Sequence, residues 1–96
     1  MVSFLATLKV AADRREAFEQ YCRELVALTR EHEPGTLVYE LVRSQDDPLT
    51  YLWYARFVDR AAFDAHQTSA FHDRIVPPLL ACLAQEMDLQ FYDYVD

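Results

Sequence analysis

Residues 2–10, VSFLATLKV, alternate: Val2, Phe4, Ala6, Leu8 and Val10 share one face, and Ser3, Leu5, Thr7 and Lys9 the other. That is the two-residue period of a β-strand. The period then changes. Phe18, Tyr21, Cys22, Leu25, Val26 and Leu28 recur at three and four positions, which predicts an apolar stripe on a helix over about residues 13–33. Asp13 followed by Glu16 has the spacing of a capping box at its start. Pro34 cannot continue the helical hydrogen-bond ladder, and Gly35, the only glycine in the chain, suits a left-handed turn after a helix.

Two more strands follow, TLVYELVR (36–43) and TYLWYARFV (50–58), and the Asp-Asp-Pro chemistry of the intervening SQDDPL predicts that they pair antiparallel as a hairpin. Asp59 is placed to cap a short helix through RAAFDAH. Thr68 or Ser69 is placed to cap another that carries Phe71, Ile75, Leu79, Leu80 and Leu83, which Pro77 and Pro78 are expected to kink or divide. The last run, MDLQFYDYV (87–95), alternates Met87, Leu89 and Phe91 against Asp88, Gln90 and Tyr92 and is read as a fourth strand. No internal repeat or linker interrupts this order, so residues 1–96 form one domain. Its class is α+β: a ferredoxin-like βαββαβ chain with an antiparallel four-stranded sheet and its helices on one side.

The other side of the sheet also wants cover. Strand 50–58 offers Tyr51, Trp53, Ala55 and Phe57 on one face and Leu52, Tyr54, Arg56 and Val58 on the other. Two helices cover only one of them. A homodimer whose sheets face each other, as a dimeric α+β barrel, buries the second; a monomer would leave a large aromatic patch in water. Arg56 is expected to meet an acidic residue across that interface.

Charge narrows the partners. Sixteen acidic against nine basic residues give a net charge of −7, which disfavours nucleic acid and anionic lipid, and the basic residues form no stripe. No apolar run approaches the roughly 20 residues of a membrane span and no secretory leader is recognisable, so a cytoplasmic protein is expected. Cys22 and Cys82 lack metal spacing and read as buried reduced thiols. Phosphate loops, a dinucleotide fingerprint and a Ser-His-Asp order are all missing, so neither a cofactor nor a metal is expected.

The runs EPGTLVYEL, DDPLTYLWYARF and AAFDAHQTSAFH, in that order and spacing, resemble the antibiotic biosynthesis monooxygenase family of small dimeric α+β barrels over nearly the whole chain. The resemblance implies cofactor-independent oxidation of a phenol, quinol or anthrone-like compound by O2, with quinol monooxygenases among the relatives. It also implies that His66 lies near the pocket. Two positions depart from the family pattern. Ala55, in WYARF, stands where many relatives carry a Glu that partners the histidine, and SAFH sets His72 one position late.

The residues themselves leave two readings open. On a continuous helix His66 and His72 differ by about 600° and face different ways, whereas a break at Gln67–Ser69 lets both imidazoles converge on one pocket. Near neutral pH a neutral imidazole accepts a proton, as abstraction from a phenol requires, so His66 is the candidate base. His72, Trp53, Tyr39, Tyr51, Phe57 and Phe71 are the candidate walls of a flat aromatic slot, or else ordinary core. His32, at the end of the long helix, reads as solvated. The functional expectation is a cofactor-independent monooxygenase with a small aromatic substrate; the alternative is a non-catalytic dimeric domain that binds one.

Overall fold

The computed structural model describes residues 1–95. Strand β1 (Val2–Lys9) leads through a single 3-10 turn (Ala12–Arg14) into helix α1 (Arg15–His32). Strands β2 (Thr36–Arg43) and β3 (Thr50–Phe57) follow, then helices α2 (Arg60–Thr68) and α3 (Ala70–Leu80), and strand β4 (Asp88–Asp93). All neighbouring strands run antiparallel in the order β2-β3-β1-β4. This is the ferredoxin-like α+β fold expected from the pattern.

Local chemistry accounts for most boundaries. In the β2–β3 turn, Asp47 accepts from the Leu49 amide at 3.0 Å and from the Thr50 hydroxyl at 2.6 Å, while Ser44 accepts from the amides of Asp46 and Asp47. Asp59 caps α2 by accepting from the Ala62 amide at 2.8 Å, and Ser69 caps α3. At α1 the expectation fails. Its N-cap is Arg14 and no side chain caps it, because the 3-10 turn has already taken Asp13 out of position.

Two further expectations need correction. Helix α3 is not divided by Pro77 and Pro78 but carries both in its last turn, ending at Leu80. Proline lacks an amide but keeps its carbonyl, so Pro77 still accepts from the Ala81 amide at 3.1 Å and the turn closes. Leu83 lies beyond the helix and bridges Val10. The second correction concerns Gly35. No described residue has a positive φ, so glycine is not there for a left-handed turn. A Cβ on Gly35 would lie 2.8 Å from the Cβ of Ala62, so its role is to let α2 seat directly on the turn that follows α1.

Sheet parity follows the sequence pattern. Phe4, Ala6, Leu8, Tyr39, Tyr51, Trp53, Ala55 and Phe57 are buried beneath the helices, with Phe18, Cys22 and Leu25 from α1 and Ile75 and Leu79 from α3. The opposite face carries Leu5, Leu52, Tyr54, Val42 and Tyr92, the last two more than half exposed. There the Arg56 guanidinium lies 4.5 Å from the centroid of the Tyr94 ring. Both cysteines are buried and unbonded to each other, and desolvation pushes the Cys22 thiol far above its ordinary range. No helix among the described residues is long and apolar enough to cross a membrane.

Candidate functional site

His66 lies on the inward face of α2, three positions after Phe63, and is almost fully buried. A buried imidazole needs partners, and Glu33 provides one: its Oε1 is 2.8 Å from His66 Nδ1. Glu33 is the residue that ends α1. Its amide donates to the Thr29 carbonyl, and its Oε1 also accepts from the Thr36 hydroxyl at 2.9 Å. The close approach at Gly35 brings α2 down onto this corner, so helix end, turn and second helix jointly fix the pair.

The Glu33 contact determines the tautomer. A carboxylate can only accept, so Nδ1 carries the hydrogen and Nε2 keeps its lone pair. Among the described residues nothing in the protein bonds Nε2. Burial lowers the His66 pKa below 6.5 and outweighs the opposing pull of Glu33, so the ring is neutral at pH 7. The result is an anchored, neutral base.

The helix break at Ser69, between α2 and α3, brings the second histidine alongside. Ser69, extended at ψ 149°, donates its hydroxyl to the His66 carbonyl at 3.1 Å and accepts from the His72 amide at 3.3 Å. One serine thus ties both backbones. The imidazoles meet edge to face with centroids 4.8 Å apart, and burial, followed by the proximity of His66, lowers the His72 pKa as well.

Both rings line a cavity of about 230 Å³ between the sheet and the helices. Tyr39 and Trp53, packed at 5.0 Å between centroids, form another part of its wall, and Leu8, Leu25 and Leu79 are among the apolar groups that complete it. Of the residues singled out from sequence, His66, His72, Tyr39 and Trp53 are therefore brought together. Three are not. Phe57 is buried beneath His66, at 5.3 Å between centroids, and outside the cavity lining. Phe71 faces His32 at 6.1 Å, and His32 itself is exposed beside Glu31. Tyr51 stacks on Phe18 and bonds Glu19.

Tyr51 belongs to a second, larger groove of about 620 Å³ between α1 and β2. There Glu19 gathers Arg15, Arg23 and Arg43 together with the Tyr51 hydroxyl, and that hydroxyl is the main cause of its lowered pKa. These polar groups already satisfy one another. The smaller cavity, with an unpartnered base in its wall, is the better candidate site. Among the described residues no group of three or more His, Cys, Asp and Glu is placed to hold a metal ion.

Glu33 is the residue that sequence reasoning missed. With Ala55 in the third strand, His66 appeared to lack an acid, yet the acid comes from the end of α1. One signal pointed there: a carboxylate at a helix C-terminus opposes the dipole, so Glu33 in EHEPG called for a compensating partner.

Comparison with known proteins agrees with this architecture. The family model described as antibiotic biosynthesis monooxygenase matches residues 1–77. A solved antibiotic biosynthesis monooxygenase is 30% identical, with 100% of both chains covered and a TM-score of 0.91. A Pseudomonas aeruginosa protein is 26% identical over 99% of this chain and 94% of its own, at a TM-score of 0.86. A Caulobacter crescentus protein is 25% identical over 99% and 90%, at 0.94. No curated protein matches the sequence.

Proposed function

The chain belongs to the antibiotic biosynthesis monooxygenase family, and on that footing we propose that it is a cofactor-independent monooxygenase oxidising a phenol, quinol or anthrone-like compound with O2. One observation carries the reading: a neutral imidazole, anchored through Nδ1 by Glu33 and with its Nε2 unpartnered, lines an apolar cavity walled by aromatic rings.

The chemistry follows from that nitrogen. His66 Nε2 takes the proton of a substrate hydroxyl, and the resulting phenolate is electron-rich enough to pass an electron to O2. Recombination forms a carbon–oxygen bond to give a peroxide. His66 returns its proton to the peroxide; the ring carbon then loses its C–H proton as the O–O bond breaks, which leaves one oxygen on the ring as a carbonyl and releases the other, with both protons, as water. For a quinol the balance is quinol + O2 → hydroxyquinone + H2O, in which the substrate supplies all four electrons. The positive charge that forms on His66 during the cycle is stabilised by Glu33 2.8 Å away. The apolar walls keep water from the peroxide.

The alternative, binding without turnover, drew its support from Ala55, and Glu33 supplies the acid that Ala55 lacks. We also propose that the protein is a homodimer joined through the open sheet face. Aerobic incubation with hydroquinones and anthrones, followed by oxygen uptake, tests the assignment. Uptake by the wild type that falls about 10²-fold to 10⁴-fold in His66→Ala supports it. Saturable binding with no uptake favours the binder, and undiminished turnover in His66→Ala removes His66 as the base.

A further inference from the structure

Resting on the reading above, we propose that the Tyr39 hydroxyl is the second polar contact for the substrate, donating to an acceptor oxygen on the ring that His66 deprotonates. The cavity then selects quinols of one or two fused rings over three-ring anthrones.

Tyr39 projects from β2 into the cavity wall and is only 5% exposed. A tyrosine buried this far ordinarily finds a partner for its hydroxyl, since an unmade donor carries its desolvation cost with nothing in return. Among the described residues the Tyr39 hydroxyl has none, yet it is not sealed off. Trp53 Nε1 is also unpartnered, but the fold encloses it completely and it offers nothing to a ligand without movement. The open donor in the wall is therefore the phenol of Tyr39.

Its protonation state suits the role. Burial, and then the charge of Glu33, push the Tyr39 phenol well above its ordinary range, so it stays a donor at any physiological pH. His66 is its complement, a neutral acceptor. The two rings meet edge to face with centroids 4.9 Å apart and both line the cavity, so donor and acceptor belong to neighbouring parts of one wall. A ligand with a single hydroxyl satisfies one of them; a quinol satisfies both.

Size supplies the second constraint. An apolar cavity of about 150 Å³ holds benzene, and pockets for drug-sized molecules begin near about 300 Å³. At about 230 Å³ the cavity lies between those limits, so one ring or two fused rings fit within its walls while the third ring of an anthrone would extend into its open mouth.

Trp53 is the only tryptophan and lines the cavity, so quenching of its fluorescence reports occupancy directly. Anaerobic titrations of wild type and Tyr39→Phe with 1,4-naphthohydroquinone, 1-naphthol and anthrone separate the terms. In the wild type, naphthohydroquinone should bind about fivefold to tenfold tighter than 1-naphthol, and anthrone at least tenfold weaker than naphthohydroquinone. Tyr39→Phe should remove the preference for naphthohydroquinone and change 1-naphthol binding less than about twofold. Equal losses for both naphthalene ligands, anthrone binding as tightly as naphthohydroquinone, or no saturable binding of naphthohydroquinone would each overturn the proposal. The wild-type comparison stands even where the variant folds poorly. Turnover plays no part in the readout, so failed oxygen uptake would count against the monooxygenase reading and failed discrimination between the ligands against the Tyr39 contact, and the two failures are distinguishable.

Discussion

Glu33 and His66, 33 positions apart in sequence, are joined by a 2.8 Å contact between Oε1 and Nδ1 that ties the end of α1 to the last turn of α2. Glu33 raises the pKa of His66 against the larger lowering by burial. Glu33→Gln keeps the size and an acceptor oxygen but removes the charge. The His66 pKa should then fall further, moving the acid limb of the kcat/KM profile to lower pH. The rate should also fall by part of the 10²-fold to 10⁴-fold attributable to the base, because the imidazolium loses its counter-charge. A pH–rate profile checks both; an unmoved acid limb would show that Glu33 acts only structurally.

The same burial makes folding sensitive to acid. His66 and His72 both have pKa values below 6.5 in the folded protein, whereas in the unfolded chain they return to that value. Below 6.5 the unfolded chain therefore binds more protons, and stability present above 6.5 is lost as pH falls toward the depressed values. Urea midpoints should drop between about pH 7.5 and about pH 5.5, a window in which Glu19 and Asp47, both lowered, stay ionised. The drop should shrink in His66→Gln and in His72→Gln. A wild-type midpoint that is flat across this window would contradict the assignment.

Gly35→Ala should damage the site without touching it. The new Cβ meets that of Ala62 at 2.8 Å and lies 3.4 Å from Val58. Overpacking of this kind costs about 1–3 kcal/mol, more than the 0.4–1 kcal/mol that alanine gains by restricting the unfolded chain. Moving α2 away also stretches the Glu33–His66 contact. Lower stability and lower kcat are expected together, and adding Ala62→Gly should restore kcat by making space. Activity that stays low in the double variant would place the defect elsewhere.

Tyr51 provides the control. Its hydroxyl bonds Glu19 in the larger groove, whose lining does not include His66. Tyr51→Phe should cost about 1 kcal/mol of stability, because the partly exposed Glu19 regains water and keeps its arginines. Catalytic constants should stay within about twofold of wild type, since the phenyl ring still packs on Phe18. The Tyr51 bond is the main reason the Glu19 carboxyl is held below 4.5, so the stability it adds is present above that pH and fades as pH falls. A large loss of kcat would bring Tyr51 back into the site.

How much of this was legible in the chain depended on range. The alternation of Phe4, Ala6 and Leu8 and of Tyr51, Trp53, Ala55 and Phe57 grouped the side chains of one sheet face correctly, because strand parity is a local property, but left open which face lines the pocket. Asp59 and Ser69 announced their helices for the same reason. Parity could not say which helix lies over which part of a strand. Tyr51 and Trp53 share a face, yet α1 claims one and the cavity the other. Glu33 escaped notice because its partner arrives through tertiary packing at Gly35, and the glycine was given a local role when its reason was an approach by Ala62. The pairing of His66 with His72 hung on a single extended residue, Ser69, which the sequence offered only as one alternative.

The open sheet face carries the last expectation. Leu52 lies opposite Thr7 on one side and Val42 on the other, and Tyr54 opposite Leu5 and Glu40, so these side chains form one contiguous patch across three strands. Val42 is 55% exposed, Tyr92 53% and Tyr54 37% in the isolated chain. Such patches mark interaction surfaces, and a two-fold pairing of identical sheets would cover this one with itself. Arg56 adds a polar reason, because its Nε is buried on this face without a partner and would gain one from an acidic group of the second copy. Sedimentation at micromolar concentration should therefore show a dimer. Leu52→Asp places a charge at the centre of the patch, beneath the proposed interface and facing away from the cavity. It should give a monomer whose Trp53 environment is largely retained. A wild type that sediments as a monomer, or a Leu52→Asp variant that remains dimeric, would show that the two copies do not meet through this face.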